Sequence, residues 1–512
     1  MRRVRTPALV APALFAATAL AGQTTADECD MESFRTLSSR ETVIGQRVTW
    51  VGSPEVACTD GVRIRADSAV VWEADERTEF YGGFRYLDSE RELEADTADY
   101  FQREGRLLAR GNAELRTLDG ATVVRGDTLD LYEGTGGSGQ ERLEASGRRA
   151  LALIAPADSS AGAEAAPYEV LADRLRFEGE RFLFAEGNVA VERDSLYAAA
   201  RSLSFDRELG TLVLLEEARV ESGATETIGQ RITLELPEGE ITTMEAEEKA
   251  ALLSGDLDLS GGWIEVEFDS GSVSYITVTE GDSSDGEGVP EQAAAFAQGL
   301  FLTGNSIEVD APGGVLASVR AEGAARGESL GPEGERPPRP ETSPGGDTGG
   351  DALPEGAEEA EEEAEADQLL GILDHDWIEG DAVVGSFDSL DPPPEAGEAP
   401  PAEEAQYVLT QLHAEGNART LYRSPPEAAG AEEAGSTPDE PPPERSEWGI
   451  SYLVANEIRL LFAGGQVEEV IAVGGVSGLQ LEPEATFGAG GDESSPGDAA
   501  EEPGAPSTEP GP

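Results

Sequence analysis

The sequence predicts an elongated all-β protein made of antiparallel strands. Apolar and polar residues alternate along short segments, as at Leu175, Arg176 and Phe177, and this period of two is typical of strands with one buried face. Clusters of turn-forming residues separate the segments, for example at 206–210. The segments recur in pairs of about 30 residues. Since one pair of strands cannot bury its own apolar face, neighbouring pairs must stack along a common axis.

The first 21 residues are predicted to be a cleavable secretory signal peptide. Three arginines among the first five residues precede an almost wholly apolar run at 7–21, which ends in small residues before Gly22. A membrane-spanning helix needs about 20 apolar residues, and this run is shorter. The mature chain is therefore expected in the periplasm. An uncleaved signal that anchors the chain in the inner membrane is the alternative.

The charge of the chain is strongly negative, with a net value of −67 from 103 acidic and 36 basic residues. Residues 327–512 contribute −37 (43 acidic residues and six arginines), and residues 1–326 contribute −30 (60 acidic and 30 basic residues). Such a charge argues against nucleic acid as a partner, because backbone phosphates need cations opposite them. It also argues against electrostatic docking on anionic lipid. Solubility is the simplest explanation of the acidity.

Several stretches rich in Pro, Gly and Glu contain too little apolar surface to offset the entropy lost on ordering, so they are predicted to be disordered. These stretches divide the chain. The predicted divisions are a signal peptide at 1–21, the most regular β-repeats at 29–235, continuing β-repeats at 236–325, a disordered acidic insert at 326–370, further β-repeats at 371–483 interrupted by disordered loops at 390–405 and 424–446, and a disordered acidic tail at 484–512.

Each repeat has two halves that alternate along the chain. The first half is a small residue, usually followed by Asp, Asn or Gln, and then alternating apolar positions. Its copies begin at Gly45, Ala66, Ala95, Gly126, Ala172, Ala200, Gly229, Gly304, Gly380 and Ala455. The second half reads apolar-x-Ala-x-Gly-(Asn/Gly)-apolar, with copies that begin at Leu107, Leu183, Val319, Leu412 and Val470. The Gly of the second half is expected to mark a bulge or bend in the strand.

This alternation resembles the organic-solvent-tolerance (OstA-like) domain, which is shared by the periplasmic lipopolysaccharide-transport proteins of the LptA and LptC type. The best agreement covers 62–235, and copies return at 300–325, 376–420 and 450–480. The resemblance implies an antiparallel β jelly-roll, opened into a groove like a folded sheet (a β-taco). The known bridge proteins of this family are shorter than the present chain and lack its long acidic inserts.

The resemblance also implies a function. The apolar interior would hold the acyl chains of lipopolysaccharide or another acyl lipid, and unpaired edge strands would join other OstA-like transport proteins edge to edge. Copies of the chain could also associate head to tail. A structural or adhesive β-repeat protein of the cell envelope, with a filled core and no lipid cargo, is the alternative.

The apolar positions of the strands are the candidate lipid contacts. We expect most of them to form the core and those near an open seam to face lipid, because acyl chains gain about 0.8 kcal/mol for each buried CH₂. The inner-face candidates are Trp72, Tyr100, Phe177, Phe184 and Leu234. Lipid phosphates are expected to stay outside the seam of a net-negative protein.

Two cysteines, Cys29 and Cys58, could form a disulfide in an oxidising compartment. They and the only two histidines, His375 and His413, lie far apart in sequence and show no zinc-binding spacing, so neither a metal nor another cofactor is predicted.

No catalytic residue is predicted. The sequence contains no Gly-x-Ser-x-Gly elbow and no phosphate-binding loop. Asp67, Asp96, Asp127 and Asp173 recur at one position of the repeat, whereas a catalytic residue would occur once. They are predicted to be turn or strand-end side chains that bond the local backbone. A polysaccharide-acting β-helix enzyme is a further alternative, but the regular coil of 20 to 25 residues that it would show is missing. The chain is therefore expected not to be an enzyme.

Overall fold

The structure is a computed structural model, and it describes residues 29–41, 46–58, 61–132, 141–156, 166–255, 257–281, 292–329, 376–389, 407–424, 449–463 and 466–481. Within these residues the chain is all-β: 28 strands form one sheet in which every pairing is antiparallel. The predicted all-β, antiparallel fold class is confirmed. Single turns of 3-10 helix interrupt the strands at Glu73–Asp75, Pro237–Gly239 and Pro312–Gly314.

The strands are numbered in chain order. They are β1 Cys29–Ser33, β2 Thr36–Glu41, β3 Arg47–Gly52, β4 Glu55–Cys58, β5 Arg63–Arg65, β6 Ser68–Trp72, β7 Arg77–Leu87, β8 Arg91–Phe101, β9 Arg106–Thr117, β10 Thr122–Tyr132, β11 Arg142–Ile154, β12 Tyr168–Glu178, β13 Phe182–Arg193, β14 Leu196–Asp206, β15 Thr211–Ser222, β16 Thr225–Glu235, β17 Thr243–Leu253, β18 Leu257–Asp269, β19 Ser272–Thr279, β20 Ala293–Ala297, β21 Leu300–Gly304, β22 Ser306–Asp310, β23 Ser318–Ser329, β24 Asp376–Ser389, β25 Tyr407–Ser424, β26 Gly449–Ala463, β27 Gln466–Val473 and β28 Ser477–Leu481.

From β7 to β19 the sheet is a meander in which each strand pairs with the next one along the chain. Short turns connect the strands, such as those at 179–181 and 207–210, and the second of these lies where the sequence predicts a turn. Between β18 and β23, short strands take the place of the long ones. β18 pairs with the two short strands β19 and β20, and β23 pairs with the two short strands β21 and β22. The ladder then continues through β24, β25 and β26.

Each long strand bends in its middle at a recurring corner. At the β8–β9 corner the register shifts between Glu94 and Thr97, and Gly111 and Asn112 both take positive φ angles, of 76° and 46°. The Asp96 side chain lies over Gly111 and accepts a hydrogen bond of 2.9 Å from Asn112 Nδ2. The bulge predicted at the Gly of the second half-repeat is therefore confirmed.

The same corner recurs along the sheet. Pairs of consecutive residues with positive φ occur at Gly82–Gly83, Gly111–Asn112, Gly187–Asn188, Glu216–Glu217, Glu248–Lys249, Gly323–Ala324, Gly416–Asn417 and Gly474–Gly475. The acidic residues Asp67, Asp96, Asp127 and Asp173 each lie against a corner glycine, in mid-sheet. The prediction is confirmed for Asp67, which lies in the bend between β5 and β6. It is wrong for Asp96, Asp127 and Asp173, which lie within strands and bond to the neighbouring strand at the corner: Asp96 and Asp173 accept from asparagine side chains, and Asp127 accepts from a backbone N–H.

The corners fold the sheet so that its apolar face turns inward. Along β9 the buried positions are Leu107, Ala109, Ala113 and Leu115, and the charged positions face outward. Buried side chains of this kind form one apolar cluster that continues from Val51 to Leu460. The core is therefore a single layer enclosed by the folded sheet along the length of the strands.

Several predicted segments fall on residues outside the described ranges. These are the signal peptide, the loop at 390–405, the tail at 484–512 and most of the inserts at 326–370 and 424–446. Two predicted boundaries need correction, because β23 extends to Ser329 and β25 extends to Ser424. At the N-terminal end, Cys58 is disulfide-bonded and its Cα lies opposite that of Cys29 in the β1–β4 register. No helix among the described residues is long and apolar enough to cross a membrane.

Candidate functional site

The turns of the meander from β7 to β17 lie at two edges of the folded sheet, which we call the first and second lips. The described turns of the first lip are those at 88–90, 118–121, 194–195, 223–224 and 254–255. The described turns of the second lip are those at 102–105, 179–181, 207–210 and 236–242. The corners lie midway between the lips, so folding at the corners brings the two lips together. The space enclosed by the sheet can reach solvent only along the line where the lips face each other. We call this line of contact the seam.

Side chains close the seam at two places in the described residues. Arg91 on the first lip forms an ion pair with Glu141 on the second. Further along, Arg193 Nη1 on the first lip donates a hydrogen bond of 2.6 Å to the carbonyl oxygen of Gly239 on the second. Tyr168, also on the first lip, donates a hydrogen bond of 3.1 Å to the same oxygen and stacks under the Arg193 guanidinium, 4.6 Å from the ring centroid.

The backbone does not take part in this closure. Between described residues, every backbone hydrogen bond joins neighbouring strands or closes a turn, and none joins the first lip to the second. The seam is therefore held by side chains and one carbonyl oxygen. It could separate without breaking the strand ladder.

A cavity of about 670 Å³ lies in the seam beside the Arg91–Glu141 ion pair. Its inner walls are apolar and come from the strands that lead to both lips, with Leu115 and Val124 on one side and Leu143 and Phe177 on the other. Its mouth is charged, and three arginines contribute to it: Arg91, Arg181 and Arg207. An apolar pocket with a few polar groups at its mouth is the usual form of a small-molecule site.

The arginines of the mouth differ in their partners. Arg91 pairs with Asp88 at 2.9 Å as well as with Glu141, and Arg181 pairs with Asp206 at 2.6 Å and Glu208 at 2.8 Å. Their charges are thus already matched by carboxylates.

Arg207 is the exception at this mouth. It donates a hydrogen bond of 3.0 Å to the carbonyl oxygen of Glu180, and no described carboxylate lies within 4 Å of its guanidinium. Burial lowers the pKa of Arg207, although the charges of Glu180 and Asp119 oppose that effect.

Three of the five predicted inner-face residues lie on the inner face. Leu234 is fully buried, and Phe177 is buried and lines the cavity. Tyr100 is half-buried, pairs in register with Leu107 and packs against the core.

Phe184 and Trp72 lie on the other face, and their inward prediction is wrong. Adjacent residues of a strand point to opposite sides, and Leu183 and Ala185 occupy the core positions of β13. Phe184 lies outside beneath the Arg176 guanidinium, at 4.4 Å. Trp72 ends β6 on the face opposite the buried Ala69.

The cavity and the seam contacts were not predicted from the sequence. Arg91 and Glu141 are 50 residues apart, and neither belongs to a repeated motif. In a chain with 103 acidic residues, no sequence signal singles out one ion pair. The described residues hold no cluster of three or more His, Cys, Asp or Glu side chains arranged to bind a metal ion.

Both ends of the sheet carry strands with one partner among the described residues. At the N-terminal end β1 pairs with β4 and β2 with β3, and at the C-terminal end β27 and β28 both pair with β26. Large apolar side chains are exposed at these ends. They are Phe34, Leu37 and Trp50 at the first end, and Ile471, Val473, Val476, Leu479 and Leu481 at the second.

No protein-family model and no curated protein matches the sequence. Among solved structures, a partial likeness is found to LptH of Pseudomonas aeruginosa, the LptA homologous periplasmic component of the conserved lipopolysaccharide transport device. The two chains are 16% identical, and the likeness covers 31% of this chain and 81% of that chain, with a TM-score of 0.17. A likeness at this level supports no conclusion about function.

Proposed function

We propose that this protein is a non-enzymatic carrier of acyl lipids in the periplasm, with lipopolysaccharide or a related lipid as its cargo. Acyl chains would lie against the inner face of the folded sheet, and partners of the same architecture would join at its end strands.

The observation that carries the proposal is the seam. The apolar cluster runs through the whole folded sheet, and its only closure between the lips of the described meander is made by side-chain contacts such as Arg91–Glu141. Breaking a partly exposed ion pair costs little, about 1 kcal/mol or less. Each CH₂ that moves from water into the interior gains about 0.8 kcal/mol. An acyl chain can therefore offset the cost of separating the lips.

The strands at the two ends of the sheet support the proposal that partners join there. A strand without a second neighbour presents unpaired N–H and C=O groups, and these groups can pair with an added strand. The exposed apolar side chains at both ends, such as Leu37 in β2 and Leu479 in β28, would be covered by that addition.

Photocrosslinking tests the proposal, and the chain offers a matched pair of positions. Phe177 lies on the inner face and Phe184 on the outer face of neighbouring strands. With a photoreactive phenylalanine at each position in turn, we expect crosslinks to lipid at 177 and none at 184. Absence of a lipid adduct at 177, 100 and 234 in protein irradiated in cells would overturn the proposal.

The alternative is a structural or adhesive envelope protein with a filled core. One observation favours it: inner-face residues such as Leu175, Leu214 and Leu234 are fully shielded from solvent. A filled core predicts that no inner position forms a lipid adduct and that the cavity is the same with and without lipid. The same crosslinking experiment therefore separates the two functions.

A further inference from the structure

Arg207 stands out among the cations of this protein. Among the residues that the structure describes, it is the one half-buried arginine with no carboxylate within 4 Å. The other arginines without such a partner, for example Arg419, are exposed. In a chain with 103 acidic and 36 basic residues, a partly desolvated guanidinium without a carboxylate partner is unusual. Partly buried charges are normally paired, because removing them from water is costly.

The surroundings of Arg207 are suited to one end of an amphiphile. The guanidinium lies at the mouth of the seam cavity, and the apolar side chains of Leu143 and Phe177 line the wall behind it. Cavities of about 300 to 1,000 Å³ usually hold one drug-sized ligand. The volume of about 670 Å³ therefore fits a single acyl chain with a small headgroup, and not a lipid with many chains.

The other charges at the mouth limit the charge of the headgroup. Five carboxylates line the cavity, those of Glu90, Asp119, Glu141, Glu180 and Glu208. They outnumber the three arginines, of which two are already paired. One negative charge can take the open position at Arg207, whereas a second or third negative charge would meet these carboxylates.

We propose that the seam cavity binds a single-chain amphiphile with one negative charge, whose headgroup pairs with Arg207 and whose chain lies against Leu143 and Phe177. A fatty-acid carboxylate and a lysolipid phosphodiester share this chemistry. The inference goes beyond the proposed function by naming, for one opening of the seam, a ligand class distinct from lipopolysaccharide, and it rests on that function only in assuming that lipid reaches the interior.

Binding to the full mature chain tests the inference. The probe is cis-parinaric acid, a fluorescent fatty acid, and its methyl ester is the same chain without the charge. We expect wild-type protein to bind the acid at least about tenfold more tightly than the ester. Arg207→Gln should weaken binding of the acid by about tenfold and leave the ester unchanged, because a hydrogen-bonded charge pair is lost. Arg419→Gln, an exposed arginine on β25, is the matched control and should change neither affinity.

Competition then identifies the headgroup. Displacement of the probe by palmitate but not by palmitoyl-lysophosphatidylglycerol assigns a carboxylate, and the reverse result assigns a phosphodiester. Equal affinity for acid and ester in the wild type, or an Arg207→Gln protein that binds the acid as the wild type does, would overturn the inference.

The two proposals fail separately. A lipid adduct at 177 together with no effect of Arg207→Gln retains lipid carriage and removes the headgroup site. A clear effect of Arg207→Gln together with an adduct at 177 but none at Tyr100 or Leu234, which lie outside the cavity, retains the site and removes carriage along the interior.

Discussion

The corner of the β8–β9 pair should depend on Gly111. In Gly111→Ala the new Cβ would lie 2.5 Å from Asp96 Oδ2 and 3.0 Å from Asp96 Cβ, and alanine would have to hold a φ of 76°. The left-handed backbone costs a non-glycine residue about 1–2 kcal/mol. Displacing Asp96 also breaks its hydrogen bond with Asn112, which contributes about 1 kcal/mol at an exposed site. We therefore expect a loss of about 2–3 kcal/mol.

A double-mutant cycle with Asp96→Ala separates the two contributions. Without the Asp96 side chain the clash disappears and only the backbone strain remains, so Gly111→Ala should then cost about 1–2 kcal/mol. The measurement is the free energy of opening for the amides of β8 and β9 from native-state hydrogen exchange, because a long stacked sheet need not unfold in one step. An equal cost of Gly111→Ala in both backgrounds would refute the packing of Asp96 over Gly111.

Three further outcomes are expected. Glu216→Gly should stabilise the β15–β16 pair by about 0.5–1 kcal/mol in urea unfolding, because Glu216 has a φ of 63° where other corners place glycine; an unchanged midpoint would contradict this. Leu234→Ala should destabilise the protein by about 2–5 kcal/mol in the same assay, since Leu234 is fully buried. Burial raises the pKa of Asp88, but the hydrogen bond from the backbone N–H of Glu90, together with the hydrogen bonds and the charge of Arg91, outweighs burial and lowers the pKa below its usual value. The pKa of Asp88 is thus lower in the folded than in the unfolded protein. Its contribution to the free energy of unfolding is therefore present above the unfolded pKa of about 4 and is lost as the pH falls through the folded pKa. In thermal unfolding measured at several pH values, Asp88→Asn should reduce the loss of stability on the acid side.

Local sequence patterns predicted the strands and turns of this fold well. Period-two alternation identifies β12 because Leu175 and Phe177 are core residues separated by one polar position. Gly111 could be identified as a bulge because glycine in a strand has few other uses. Both features depend only on neighbours in sequence.

Contacts between distant residues could not be predicted in the same way. Asp96 reaches Asn112 across 16 residues, so its partner is known only once the register of β8 against β9 is known. Alternation alone does not decide which of the two adjacent apolar residues Leu183 and Phe184 is buried, and the structure buries Leu183. The seam contacts depend in addition on how the sheet folds over, because only the folded sheet brings Arg193 to the turn at Gly239, 46 residues away.

The two places where the lips meet should differ in how readily they open. At the Gly239 contact, Arg193 and Tyr168 share one carbonyl oxygen and stack on each other, so that three groups must separate together. At the cavity, the lips are joined by the Arg91–Glu141 ion pair and by the longer-range attraction between Arg207 and Asp119. Salt screens the attraction between two opposite charges, whereas at Gly239 the Arg193 cation bonds an uncharged carbonyl oxygen and stacks on an uncharged ring, contacts that salt weakens less. Because the strand ladder is held by backbone hydrogen bonds, it should stay intact in raised salt. Lip separation should then begin at the cavity, which is also where an amphiphile would find its apolar wall.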